Sequence, residues 1–208
     1  MNRRLFLANL TASSLIALSP ATWAREFELM EGVQYKKLKQ PQSIAPYKKT
    51  VIEVFGYGCP HCYHLEPGLH KWLETKPADV HFEQMPVVFN NPNWVYMARV
   101  FFTSKRLGVL KESHQAFFDA IHRDKTDVYT PEALAKFFTR FGVKEQDFLD
   151  MFKSFVVSSD LKKAAKLTRE YEVEGVPAII VNGKYLTDVP MAKGEANMWE
   201  TVNELFEK

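Results

Sequence analysis

Two cysteines, Cys59 and Cys62, are the only ones in the chain, and they follow directly after an apolar, β-branched run at residues 50–56. That run predicts a buried central strand, and apolar residues recur at helical spacing from Pro60 to about residue 74. A second strand-like run follows at 79–88. The pattern predicts a β-α-β unit with both thiols at the turn from strand to helix, the edge of a parallel sheet where active sites lie.

The residues between the cysteines indicate redox chemistry. One thiolate attacks a disulfide and a neighbouring thiol resolves the mixed disulfide, so a Cys-x-x-Cys pair forms a complete exchange unit. At a helix N-terminus, Cys59 faces free N–H groups and the positive end of the helix dipole, which favour its thiolate. Pro60 suits the first helical turn, and His61 adds a donor or positive charge. We therefore expect a solvent-facing, acidic Cys59 and an oxidising disulfide, because a stabilised thiolate stabilises the reduced state.

Two other uses of the cysteines compete with this interpretation. Zinc could be bound by four nearby side chains, those of Cys59, His61, Cys62 and His64. Their spacing is poor for tetrahedral closure and no second ligand pair follows, so we predict neither a metal nor another cofactor. A purely structural disulfide would close too short a loop to remove much entropy from the unfolded chain.

The N-terminal 24 residues resemble a cleaved export signal. Arg3 and Arg4 precede an apolar stretch at 5–18, and Thr22 and Ala24 are small residues where a signal peptidase cleaves. The apolar stretch is too short to span a membrane. The paired arginines also fit a twin-arginine signal, although we favour the general secretory route. Either route leads to an oxidising compartment, most simply a bacterial periplasm.

Charge and length limit the class of protein. The chain has 27 basic and 25 acidic residues, and the signal holds two of the basic ones, so the mature protein is near neutral. Neutrality argues against nucleic acid or an anionic membrane as a partner. About 184 residues remain after cleavage, enough for one core with an inserted subdomain.

The remaining pattern is that of a mixed α/β chain interrupted by helices. A short strand is predicted at 33–38, and later strands at 176–181 and 184–186 are joined by an Asn182-Gly183 hairpin turn before a final helix at 196–206. Between them, helical spacing predicts five helices, at 93–106, 111–123, 131–141, 145–158 and 160–172. This block is rich in phenylalanine, most of which we assign to a core, with a minority lining a groove near Cys59.

The exported Cys59-Pro60-His61-Cys62 motif, the helical insert and a Gly-Val-Pro sequence before the hairpin resemble the DsbA family of bacterial periplasmic thiol:disulfide oxidoreductases. The resemblance spans the mature chain and implies a thioredoxin-like fold with an inserted all-helical subdomain, divided at 25–92, 93–172 and 173–208. It implies that Cys59 is the exposed nucleophile and Cys62 the buried resolving thiol. It also implies a cis bond before Pro177, with the backbone of Val176 offered to an extended client.

Glu53 is an acid within the predicted central strand, where burial without a partner would be costly. Burial tendencies alone favour an outward-facing side chain. Similar proteins carry a buried glutamate here that relays protons to the resolving thiol. Those relatives often pair the acid with a lysine on the next strand, whereas residues 83–86 of this chain contain no cation. The charge balance around Glu53 should therefore differ from that of its relatives.

These inferences predict a monomeric oxidase that donates the Cys59–Cys62 disulfide to newly exported proteins with free cysteines. The resemblance implies re-oxidation by a membrane oxidase of the DsbB type. A disulfide isomerase or reductase is the enzymatic alternative, although such proteins usually carry a dimerisation segment. A binding protein, either a zinc or copper carrier or a client-holding chaperone, is the alternative from a different class. Metal content and the activity of a Cys59→Ser variant distinguish these alternatives.

Overall fold

The computed structural model describes residues 29–208, and the predicted export signal lies outside the described residues. A five-stranded mixed sheet has the order β1-β5-β4-β2-β3, in which β2 is parallel to β3 and antiparallel to β4. The strands are β1 (Lys36–Lys37), β2 (Lys49–Phe55), β3 (Val80–Pro86), β4 (Ala178–Val181) and β5 (Tyr185–Thr187). The run at 50–56 thus forms an internal strand of the sheet, as its continuous apolar character predicted.

Helices cover both faces of the sheet. Helix α1 (Pro60–Thr75) and helix α7 (Glu195–Glu204) pack on one face, where the rings of Trp72 and Trp199 stack with centroids 5.1 Å apart. The other face meets the helical block, which consists of α2 (Pro92–Arg106), α3 (Leu110–His122), α4 (Pro131–Phe138), α5 (Glu145–Lys153) and α6 (Phe155–Glu170). Short 3₁₀ turns at Thr139–Phe141 and Leu205–Glu207 extend α4 and α7. This architecture confirms the predicted thioredoxin-like α/β fold carrying helices between β3 and β4.

The alternation of side chains along β2 explains where its acid lies. Val51 packs with the core on the α1 and α7 side, whereas Val54 packs with the core on the side of the helical block. Because successive side chains of a strand point to opposite faces, Glu53 shares the face of Val51. That face lies under α1, the helix that begins with the redox motif, so the strand carries its acid towards the cysteines.

One predicted helix boundary was wrong. Helical spacing suggested a single helix through residue 158, but the chain breaks at Ser154, whose backbone is extended at φ −66° and ψ 155°. The Ser154 hydroxyl accepts a hydrogen bond from the Val157 N–H at 3.3 Å and so caps α6. Apolar positions keep the same period on both sides of the break, and periodicity alone therefore hides it.

The predicted hairpin turn is present. Asn182 and Gly183 both have positive φ angles, 51° and 61°, as a two-residue type I′ turn requires. The Lys184 N–H donates to the Val181 carbonyl at 3.0 Å and closes the turn. The hairpin pairs β5 with β4, and the Asn182 N–H donates to the Thr50 carbonyl of β2 at 2.9 Å. Because β4 runs antiparallel to β2, the segment before β4 lies at the edge of the sheet where α1 starts. Within residues 29–208, no helix combines the length and apolar character needed to cross a bilayer.

Candidate active site

Cys59 is the N-cap residue of α1, and Pro60 is the first helical residue. The Cys59 N–H donates to the Gly56 carbonyl at 2.9 Å, which folds the end of β2 back into the helix start. A side chain at Gly56 would collide with the ring of Trp94 on α2. Glycine at this position therefore allows the helical block to approach the turn that presents the thiols.

The Cys59 thiol is acidic. The hydrogen bond from the Cys62 thiol is the main cause that lowers the pKa of Cys59 to about 6. The N–H groups of Cys62 and His61 and the charge of His61 act in the same direction, while burial opposes them. The predicted effect of His61 is thus present but is smaller than that of the second thiol. Cys59 is 8% exposed, less than the solvent-facing position we expected.

Cys62 lies one helical turn deeper and is completely buried. Burial, followed by its hydrogen bond to Cys59, raises the pKa of Cys62 far above that of a free thiol. Both cysteines are free thiols in this structure, which therefore represents the reduced state. At neutral pH this state pairs a thiolate at Cys59 with a protonated thiol at Cys62. The asymmetry gives the two cysteines different chemical roles, because the thiolate is the nucleophile and the better leaving group.

The loop before β4 lies directly against Cys59. The peptide bond between Val176 and Pro177 is cis, and the Cys59 Sγ lies 3.4 Å from the Val176 carbonyl oxygen. A groove of about 620 Å³ opens beside this contact. Its lining includes His61, His64, Val176, Pro177, Val189 and Pro190. An extended peptide in this groove would lie within reach of the acidic thiol.

The aromatic residues of the helical block do not line this groove. Most of them are buried in the core between the block and the sheet, as predicted, but the expectation that a minority line the groove near Cys59 was wrong. Phe155, at the start of α6, and Tyr129, before α4, are exceptions to burial, at 83% and 62% exposed. The groove is instead built from the start of α1, the loop before β4 and the segment between β5 and α7.

Glu53 is fully buried, contrary to burial tendencies and in agreement with the resemblance. One carboxylate oxygen, Oε2, accepts a hydrogen bond from the Gln84 amide at 2.8 Å. Burial, reinforced by the charge of Glu66, raises the pKa of Glu53 to about 8, and the Gln84 hydrogen bond partly opposes this rise. A negative charge on Glu53 would raise the pKa of Cys62 further. The acid and the resolving thiol are thus electrostatically linked.

Sequence reasoning missed two residues beside this acid. Glu66 is buried on α1, four residues after Cys62 and so on the same helix face, a spacing that could have revealed it. His114 lies on α3 and is only 7% exposed. Its spacing to the buried Phe117 and Phe118 predicts an inward face and was the available signal.

No group of three or more histidine, cysteine, aspartate or glutamate side chains within residues 29–208 is arranged to hold a metal ion. His61 lines the groove, Cys59 lies beside it against the Val176 carbonyl, and Cys62 is buried behind Cys59. The chemistry available at this site is therefore that of the two thiols and the carboxyl group beneath them.

Comparisons with known proteins agree with this geometry. A family model described as a DSBA-like thioredoxin domain matches residues 50–205. The thiol:disulfide interchange protein DsbA of Pseudomonas aeruginosa is 36% identical over 209 residues, which cover 100% of this chain and 97% of the relative. A crystal structure of P. aeruginosa DsbA has a TM-score of 0.78 and 39% identity, covering 85% of this chain and 92% of that one. The DsbA structure from Xylella fastidiosa has a TM-score of 0.80 and 30% identity, covering 86% and 97%.

Proposed function

This chain belongs to the DSBA-like thioredoxin family, and on that premise we propose that it donates the Cys59–Cys62 disulfide to newly exported proteins. It is a thiol:disulfide oxidoreductase that acts by dithiol/disulfide exchange. The observation that carries the direction of transfer is the asymmetry between the two thiols. Cys59 has a pKa lowered to about 6 and lies beside a groove, whereas Cys62 is fully buried with a raised pKa.

The exchange proceeds in two steps. A client thiolate attacks the Cys59 sulfur, the Cys59–Cys62 bond breaks, and Cys62 leaves with the bonding electron pair and takes up a proton. A second client thiolate then attacks the client sulfur of the mixed disulfide, and Cys59 leaves as a stabilised thiolate. Two client thiols become one disulfide, and the protein gains two electrons and one proton, held on Cys62. The second proton of the client dithiol goes to solvent.

We assign Glu53 the transfer of that proton. At neutral pH a carboxyl group with a pKa of about 8 is mostly protonated, so Glu53 can supply a proton when Cys62 leaves. The same group, once ionised, can remove the proton when Cys62 attacks during re-oxidation. A pKa near the working pH suits both directions. Glu53 thus replaces solvent, which cannot reach the buried thiol.

Client binding is assigned to the backbone of Val176, to Pro177 and to the adjoining groove. The exposed edge of a loop beside a strand offers main-chain hydrogen bonds that any extended peptide can make, whatever its sequence. Such binding suits a protein with many clients. The Val176 carbonyl lies 3.4 Å from the Cys59 sulfur, so a client bound to this backbone brings its thiol close to Cys59.

The cellular setting follows from the sequence. Residues 1–24 carry the pattern of a cleaved export signal, and we propose that the mature protein works in the periplasm as a monomer. A membrane oxidase of the DsbB type then removes the two electrons. The division at 25–92, 93–172 and 173–208 assigns the redox site to the two thioredoxin-like parts and a covering role to the helical insert.

Direct transfer of the disulfide tests this function. The oxidised mature protein is mixed without oxygen or glutathione with an equal amount of a reduced, unfolded client containing two cysteines. We expect one disulfide to form in the client for each one lost from Cys59–Cys62, as measured by mass spectrometry after thiol alkylation. A client that stays reduced while the protein stays oxidised contradicts the oxidase.

A further inference from the structure

Glu53 and Glu66 are two buried acids, and no lysine or arginine within residues 29–208 is in contact with them. They lie close enough that the charge of Glu66 raises the pKa of Glu53. Burial and a like charge both favour the protonated form, and together they would hold a proton on Glu53 permanently. A group that exchanges protons with Cys62 needs an opposing influence. Gln84 supplies one, because its amide donates to Glu53 Oε2 and partly lowers the pKa.

A side-chain amide can present either its N–H₂ group or its oxygen, and only the N–H₂ group stabilises a carboxylate. Some neighbour must therefore hold Gln84 in the correct orientation. His114 is that neighbour, because its Nε2 lies 3.0 Å from the Gln84 Nε2. The amide nitrogen carries two hydrogens, of which one points to Glu53 and the other to His114. This geometry requires His114 Nε2 to be the acceptor, since a hydrogen on Nε2 would face a second donor.

We propose that His114 is a positioning residue for proton transfer at the redox centre: its Nε2 accepts one N–H of Gln84 and directs the other N–H to the Glu53 carboxylate. The inference rests on the proton-transfer role proposed for Glu53. In this chain a neutral amide, oriented by an imidazole, takes the place of the lysine that similar proteins often carry.

The surroundings of His114 fix the orientation of its ring. Because Nε2 acts as an acceptor, the ring hydrogen is on Nδ1. Nδ1 lies 2.8 Å from the Tyr57 hydroxyl, which accepts this hydrogen. Edge contacts with the rings of Phe55 and Phe118, at centroid distances of 5.1 and 5.2 Å, hold the imidazole in place. Glu66 Oε1 lies 3.5 Å from Nε2, longer than a normal N–H···O hydrogen bond.

The other ionisable groups around this network are few. Cys62 and Glu66 face it from α1, Tyr57 faces it from the segment after β2, and the exposed His70 contacts the far oxygen of Glu66 at 3.5 Å. Only Gln84 forms a hydrogen bond with Glu53 among the residues that the structure describes. A change in the orientation of Gln84 therefore changes the single hydrogen bond that Glu53 accepts.

Substitutions of His114 test this inference in the reduced mature protein without a client. His114→Phe keeps an aromatic ring among Phe55 and Phe118 but removes the acceptor, so the amide can turn its oxygen towards Glu53. We expect the Glu53 titration midpoint, followed by carboxyl ¹³C NMR, to rise by about one pH unit or more, as loss of one hydrogen bond to a charged group implies. His114→Gln retains an acceptor, so the Glu53 midpoint in this variant should lie close to the wild-type value. His81→Phe, on β3, is the matched control and should cause no shift, because its ring stacks on the exposed Tyr47.

A double substitution separates positioning from a general structural effect. Gln84→Met removes the amide, and it should raise the Glu53 midpoint on its own. Adding His114→Phe to Gln84→Met should then cause no further shift, because His114 acts only through the amide. In the wild-type protein, ¹⁵N NMR should show hydrogen on Nδ1 of His114 and none on Nε2 at pH 7.

Three results would overturn the inference: hydrogen on Nε2, an unchanged Glu53 midpoint in folded His114→Phe, or an equal shift with and without Gln84. None of these readouts uses a client, so they are independent of the disulfide-transfer assay. If transfer proceeds normally but the midpoint does not move, the oxidase function stands and the role of His114 falls. If transfer fails while the midpoint moves as expected, the role of His114 in positioning Gln84 stands and the oxidase function falls.

Discussion

Cys59→Ser is expected to remove all disulfide exchange, whereas Cys62→Ser should still form mixed disulfides through Cys59 but fail to release them. Cys59 has a pKa lowered to about 6 and is the thiol at the groove, so its loss leaves only a buried thiol with a raised pKa. Because thiolates and not thiols are the nucleophiles, alkylation of the reduced protein at pH 7 should slow by at least about 10³-fold in Cys59→Ser.

Cys62→Ser should instead trap clients. Its Cys59 thiolate attacks a disulfide and forms a mixed disulfide, and no second thiol of the protein can release the partner. Incubation with oxidised glutathione followed by mass spectrometry of the intact protein should show one stable adduct per chain in Cys62→Ser and none in Cys59→Ser. Circular dichroism confirms that both variants are folded. An adduct on Cys59→Ser would show that the roles of the two cysteines are reversed.

Glu53→Gln is expected to stabilise the reduced protein, and the gain should grow with pH. The pKa of Glu53 is raised from 4.5 to about 8 in the folded state. Below pH 4.5 the group is protonated in both the folded and unfolded states and causes no penalty. Between pH 4.5 and about 8 the unfolded chain releases the proton while the folded protein keeps it, so stability falls as pH rises. Through this group the free energy of unfolding decreases by up to about 1.4 kcal/mol per pH unit, and the decrease stops above pH 8.

Urea unfolding of the reduced protein at pH 4.5, 6 and 8 measures this effect. The free energy of unfolding of Glu53→Gln should equal that of the wild type within about 1 kcal/mol at pH 4.5 and exceed it by about 4 kcal/mol at pH 8. Glu74→Gln, on the exposed side of α1, removes the same charge without burial and should show no such trend. A constant difference across the pH range would mean that Glu53 is ionised in the folded protein.

Local patterns in the sequence were sufficient for the redox motif and the order of elements. Residue type and spacing place Cys59 at a helix start, because the strand, the proline and the helical period are all encoded within about 25 residues. The hairpin at Asn182 was equally local, since only a few residue types tolerate two consecutive positive φ angles.

The surroundings of the buried acid could not be read in the same way. His114 reaches Gln84 across 30 residues and Tyr57 across 57, and periodicity says nothing about which inward-facing residues of two elements meet. The sequence showed that residues 83–86 contain no cation. It did not show that an amide and an imidazole lie near Glu53 instead. The groove likewise depends on three separated segments that only the folded chain brings together.

The equilibrium between Cys59–Cys62 and glutathione tests the central claim most directly. A thiol with a pKa of about 6 is about nine-tenths ionised at pH 7, and this alone shifts the equilibrium about tenfold towards the reduced protein, or about 30 mV. Oxidised protein is equilibrated with defined ratios of reduced and oxidised glutathione, and the two forms are quantified after acid quenching. We predict a reduction potential clearly more oxidising than that of glutathione, as a disulfide donor requires. A more reducing potential would contradict the oxidase and indicate a reductase or a structural disulfide.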